Sequence, residues 1–121
     1  MRWTGAGYAG DMRPASDTFE VDLEARTGEV WVLPHGELDV DTVEELDHSL
    51  SIALASEAER VVIDLRGLEF LDSTGLRAIA GACMGPDGLR VELVPGSRSV
   101  QGVFNVSGLA TELRWRPDGA R

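Results

Sequence analysis

VVIDLRGLEFLDSTGLRAI, residues 61–79, decides how the rest of the chain is read. Val61-Val62-Ile63 is a continuous β-branched run, the signature of a strand buried on both faces. Residues 67–71 read as a short connection. Asp72-Ser73-Thr74-Gly75 then opens a helix, because short polar side chains satisfy the first unpaired backbone N–H groups of a helical turn. Leu76, Ile79, Ala80 and Cys83 follow at i, i+3, i+4 and i+7, which is one helical face, so the helix is expected over residues 73–84. Gly85-Pro86-Asp87-Gly88 stops it and turns the chain.

On the N-terminal side, Phe19, Val21, Leu23 and Ala25 alternate with Glu20, Asp22 and Glu24 as in a half-exposed strand. Thr27-Gly28 is a two-residue turn, so Val30-Trp31-Val32-Leu33 should return antiparallel and buried, with Pro34 ending its clean pairing. Asp41 and Glu44 have capping-box spacing. Behind them Val43, Leu46, Leu50, Ala53 and Leu54 share one helical face, with Glu44, Glu45, Asp47 and His48 mainly on the other, so a helix is expected to about Ser56.

Downstream, residues 89–94 read as a third interior strand. Ser97 caps a helix bearing Val100, Val103 and Phe104, and Gly108 ends it. Leu113 and Trp115 read as a last edge strand. The order β-β-α-β-α-β-α-(β) predicts an α/β fold: a mixed sheet of four to five strands covered largely by about three to four helices, with right-handed crossovers. Residues 1–17, with Gly5, Gly7, Gly10 and Pro14 and no period, read as a flexible tail, 18–117 as the domain and 118–121 as a C-terminal tail.

Composition narrows the function. A chain of 121 residues with 43% hydrophobic content suits one packed domain. The formal net charge of −10 disfavours nucleic acid and anionic lipid, and fits either a protein partner with a basic face or a surface charge that merely keeps the protein soluble. No apolar run is long enough for a membrane-spanning helix, and the N-terminal stretch lacks the apolar segment of a signal peptide, so a cytoplasmic location without membrane insertion is expected. The single cysteine, Cys83, lies on an apolar helical face and reads as a core residue. His35 and His48 lie in different elements without ligand-like spacing, so neither a metal nor a cofactor is expected. GxxxxGK[ST], GxSxG and HExxH are all absent.

Two polar positions remain. Ser73 stands at a helix entrance beyond a buried strand, where the helix dipole and free N–H groups favour an added anion such as phosphate; Asp72 or Ser73 also serves as a plain N-cap. Asp39, in Gly36-Glu37-Leu38-Asp39, stands at another strand-to-helix junction. If the two strands are neighbours, Asp39 and Ser73 share a rim; turn and cap chemistry also accounts for Asp39 and Asp41.

These motifs in this order resemble the STAS domain, the fold shared by anti-sigma factor antagonists and the cytoplasmic tails of sulfate transporters. The resemblance rests on GELDVDT (36–42), VVIDLRGLEFLDSTGLRAI (61–79) and RVELVPGSRSVQGVFNVSGL (90–109), and covers about Phe19 to Trp115. It implies a non-enzymatic antagonist that binds an anti-sigma factor with serine kinase activity and is released when Ser73 is phosphorylated; a serine phosphatase resets it. It also implies a partner surface at Asp39, Asp72, Ser73, Thr74, Gly75 and Leu76. Residues 81–88 look shorter than the usual family pattern. The alternative is a STAS structural or regulatory subunit of a transporter-associated or sensory complex, without the switch. A Ser73 nucleophile is disfavoured, since only His35, from a neighbouring strand end, could serve as its base.

Overall fold

The structure is a computed structural model that describes residues 2–4 and 19–116. Within them, one mixed sheet is built from β1 (Arg2–Thr4), β2 (Phe19–Arg26), β3 (Glu29–Leu38), β4 (Arg60–Asp64), β5 (Leu68–Leu71) and β6 (Val91–Val94). Strands run β1-β2-β3-β4-β6 across the sheet, and β5 pairs with the far end of β3. Three helices connect them: α1 (Val43–Ala55), α2 (Ser73–Met84) and α3 (Arg98–Ser107). The expected α/β mixed sheet forms, with three of the three to four helices expected, and Arg2–Thr4 and Leu68–Leu71, not counted as strands from the sequence, bring its strands to six.

The local chemistry explains most boundaries. Gly28 takes φ 74 in the tight turn, and β2 and β3 pair antiparallel from Arg26↔Glu29 to Phe19↔Gly36. The pairings β3–β4, β3–β5 and β4–β6 are parallel. The Ser97 side chain accepts from the Val100 N–H to start α3, and Gly108 ends it at φ 80.

Several boundaries differ from the sequence reading. Pro34 does not end its strand: β3 runs on to Leu38. Its parallel partner changes from β4, last paired at Val32↔Ile63, to β5, first paired at Gly36↔Leu68, and Pro34 falls in that gap, where a missing N–H disrupts no ladder with either. The supposed connection at 67–71 contains β5. Asp41 is not the cap of α1; Thr42 is, and the Asp41 N–H instead donates to Asp39 Oδ1 at 2.9 Å. Leu89 sits in a short 3-10 turn rather than in β6. Leu113 and Trp115 form no named strand: a single parallel bridge, Leu93↔Trp115, lays this segment along the edge of β6. Of the segment read as a tail, Arg2–Thr4 pairs with β2 at Asp22, Leu23 and Glu24, while residues 5–18 and 117–121 lie outside the described residues.

All three helices cover one face of the sheet. Val21, Leu23, Val32, Val61, Ile63, Val91 and Leu93 meet Leu46, Leu50, Leu76, Ile79, Val100 and Phe104 in one buried cluster. Burial at about 25 cal/mol per Å² of apolar surface drives this assembly. The opposite face has a smaller cluster, Trp31, Val62 and Val94, with Leu33 against it. Over Trp31 lies a charged layer: the Arg26 guanidinium sits 3.7 Å from the ring centroid and Arg116 5.6 Å from it. Arg116 also bonds to Glu29 at 2.7 Å and Glu92 at 2.6 Å, tying the chain end to β3 and β6.

Candidate functional site

The site lies where β3 and β5 end side by side. Register Leu38↔Leu71 places Asp39 and Asp72 as the next residues of two parallel neighbours, and the Asp72 N–H donates to the Leu38 carbonyl at 3.2 Å. Asp39 and Ser73 therefore share one rim through β5. Strand ends of this kind are the usual ligand and partner rims of such sheets.

Asp39 shapes its own loop. Its carbonyl accepts from the Thr42 and Val43 N–H groups at 3.1 and 2.9 Å, and its Oδ1 accepts from Asp41. Buried Thr42 completes the turn: its Oγ1 accepts from the Asp39 N–H at 3.0 Å and donates to the Glu37 carbonyl at 2.8 Å. Asp39 itself is half-buried.

Asp72 is the N-cap of α2. Its Oδ1 accepts from the Gly75 N–H at 3.0 Å, which leaves Ser73 as the first residue of the helix. Ser73 is exposed, Thr74 is half-buried, and neither hydroxyl has a hydrogen bond among the described residues. Gly75 is buried for a packing reason: a Cβ there would stand 2.6 Å from Leu38 Cγ and 2.7 Å from Leu71 Cδ1. Only glycine lets α2 press so closely on both strand ends. Leu76, 8% exposed, carries α2 into the core while its outer edge remains reachable.

Two adjoining hollows of about 480 and 450 Å³ share Ser73 and Leu76. One runs to α3 along Ser99, Gly102, Val103, Val106 and Ser107. The other runs along α2 through Arg77, Ala80, Gly81 and Met84 to Leu109. Together they make a largely apolar groove with Ser73 at its head. Val106, 90% exposed, and Met84, 52% exposed, stand on its walls. Mid-helix Gly81 and Gly102 have nothing within 4 Å of a would-be Cβ, so the groove is open above both. Among the described residues no acidic side chain lines either hollow.

The α3 wall, Met84 and Leu109 escape a sequence reading centred on the DSTGL motif. The signal available was the pair of mid-helix glycines, which weaken a helix and mark close approach when retained. The other reactive side chains are not among the residues lining the groove. Burial pushes the Cys83 thiol up to about 11, which keeps it protonated and inert at neutral pH. His35 Nε2 lies 3.6 Å from Asp22 Oδ2. Among the described residues there is no metal-ligating cluster, and no helix is long and apolar enough to cross a membrane.

A sheet with helices on one face and a helix entrance paired to a neighbouring strand end is the arrangement of a STAS domain. The family model described as "Mlab, STAS domain" matches residues 14–114, and this chain belongs to that STAS family. Its fold is also similar to solved antagonists. An anti-sigma factor antagonist from Mycobacterium paratuberculosis is 25% identical, with a TM-score of 0.76 over 88% of this chain and 92% of that one. The unphosphorylated anti-sigma factor antagonist SpoIIAA is 27% identical, with a TM-score of 0.64 over 80% of this chain and 86% of its own. The phosphorylated form of SpoIIAA, described as a Bacillus cell fate determinant, is 25% identical with a TM-score of 0.59, over 80% and 89%.

Proposed function

We propose that this chain is an anti-sigma factor antagonist. Its unphosphorylated form binds an anti-sigma factor that is also a serine kinase, and phosphorylation of Ser73 releases it. The observation that carries this reading is an exposed, unbonded Ser73 hydroxyl at the head of an apolar groove, beside Asp39 and Asp72. Likeness to antagonists solved in unphosphorylated and phosphorylated forms supports it.

The physical account begins with the docking surface. Leu76, Val103, Val106 and Met84 offer apolar area for a partner to cover, while Asp39 and Asp72 supply a polar rim. Phosphate adds about −1.5 to −2 charges at neutral pH. On a covered surface that dianion must shed water and meets two like charges. A penalty of about 3–4 kcal/mol lowers affinity by some hundreds-fold. ATP and magnesium belong to the kinase, so the chain itself performs no catalysis and needs no cofactor. A serine phosphatase restores the binding form.

The test is capture of the cytoplasmic partner on unphosphorylated protein, followed by incubation with Mg-ATP. The reading expects a sigma-binding kinase, one phosphate on Ser73 and release of the complex. A second reading is favoured by the family description itself, which names Mlab rather than an antagonist. There the same groove seats the chain as a subunit of a transporter-associated or sensory complex. That reading expects capture of such a complex and no change on Mg-ATP.

A further inference from the structure

Arginine is the only basic side chain other than histidine in this acidic chain, and most of the arginines between residues 19 and 116 are engaged. Between residues 19 and 116, Arg26 pairs with Glu24, Arg60 with Glu92, Arg66 with Asp64, Arg90 with Asp87, and Arg116 with Glu29 and Glu92. The side chains of Arg77, Arg98 and Arg114 have no ion pair or hydrogen bond among the described residues. One of these three, Arg77, lines the same hollow as Ser73. It stands four residues further along α2, the spacing that brings two side chains together on one helical face.

We propose that Arg77 is the internal receiver of the Ser73 phosphate. The inference rests on the reading of Ser73 as the phosphorylation site, and names how that site is regulated. A guanidinium and a phosphate make charge-assisted, often paired hydrogen bonds, and Arg77 has no competing acid to leave. The charged groups placed by Ser73 are Asp72 before it, Asp39 on the adjoining strand end and Arg77 on α2, while Arg98, in the first turn of α3, does not line either hollow. The two carboxylates oppose the second ionisation of the phosphate, and Arg77 favours it. Phosphorylation then alters the docking face twice. It adds negative charge at the head of the groove, and it withdraws the cation on the α2 wall from contact with a partner.

The test uses full-length protein carrying phosphoserine at position 73 by co-translational incorporation, so no kinase is required. Phosphorus NMR titration reads the second ionisation of the phosphate in the parent and in Arg77→Gln, Arg98→Gln and Arg114→Gln. Each substitution removes the same charge from an exposed position. Arg77→Gln is expected to raise the midpoint by about 0.3 unit at low salt, with the difference shrinking as salt screens it. Arg98→Gln and Arg114→Gln are expected to leave it within error. An unmoved midpoint in Arg77→Gln, an equal rise in all three, or a rise confined to Arg98→Gln overturns the proposal. Failure of a kinase to modify Ser73 would sink the switch reading while this titration still stands or falls by itself.

Discussion

Ser73 and Thr74 are adjacent hydroxyls, yet only Ser73 is exposed and lines the groove. A kinase is therefore expected to modify Ser73, and fragment mass spectrometry should place a single phosphate there. Ser73→Ala should retain partner affinity, because it leaves the groove head uncharged. Ser73→Glu should weaken it, though less than phosphate, since it brings one charge. Titration calorimetry ranks the three forms, and full-strength binding by the phosphoprotein would remove the switch. Cys83 makes a separate prediction. Its thiol is raised from 9.0 to about 11 by burial, so the folded state resists an ionisation that the unfolded chain undergoes near 9. That difference is absent below pH 9 and costs stability as pH rises from about 9 through 11. Thermal melts should fall over that range, and Cys83→Ala should flatten the fall. At this scale much was readable in advance: a cap at Asp72 or Ser73 and the exposure of Ser73 follow from short polar residues ahead of an apolar stripe, and the structure gives the cap to Asp72. The role of Thr42 was not, because its hydrogen bonds to Asp39 and Glu37 depend on a loop shape that no spacing encodes.

Elements explain how those residues come together. Strand β5 escaped the sequence reading because Leu-Glu-Phe-Leu buries only its outer two residues and lacks alternation. It nevertheless sets the register that joins Asp39 to Asp72. The helices were easier, since an apolar stripe over three turns has no competing period. The long reach of β3 past Pro34 was hidden because proline ends a ladder only where a ladder exists on that side. Gly75→Ala tests how closely α2 must seat. The added methyl meets Leu38 and Leu71, so a loss of about 1–3 kcal/mol is expected in denaturant unfolding. Thr42→Ala should cost about 1–2 kcal/mol by leaving the Asp39 N–H without its acceptor and the Glu37 carbonyl without its donor. Partner affinity should fall with it, because Asp39 loses its fixed position. Unchanged unfolding in Thr42→Ala would show that the loop holds without it.

Across the whole molecule, the two faces of the sheet are stabilised by different physics. The helical face relies on apolar burial, which responds little to pH. The other face closes over Trp31 with Arg26, Arg116, Glu29 and Glu92. Alternating residues in β2 announced a second face, but its cover comes from Arg116, far along the chain, and no local pattern could assign it. The Arg116 guanidinium beside Glu29 holds its carboxyl below the usual 4.5, and the indole N–H of Trp31 assists. The lowered value means stability present above about pH 4.5 and lost as pH falls through the folded-state value. Arg116→Gln should therefore melt lower than the parent at pH 7, and the gap should narrow at pH 3. A gap independent of pH would assign Arg116 a packing role alone.

Gly81 and Gly102 carry a consequence about selection. A chain under pressure for stability alone would hold alanine at both, since each mid-helix glycine costs about 1 kcal/mol and a methyl there meets nothing. Glycine on both walls of one groove leaves that ground clear for the close approach that the proposed docking needs. Gly81→Ala and Gly102→Ala should each raise the melting temperature while weakening capture of the partner. Evolution toward a sturdier version of this protein would then lead away from its task, and thermal tolerance gained at these two positions would be bought with deafness to its partner.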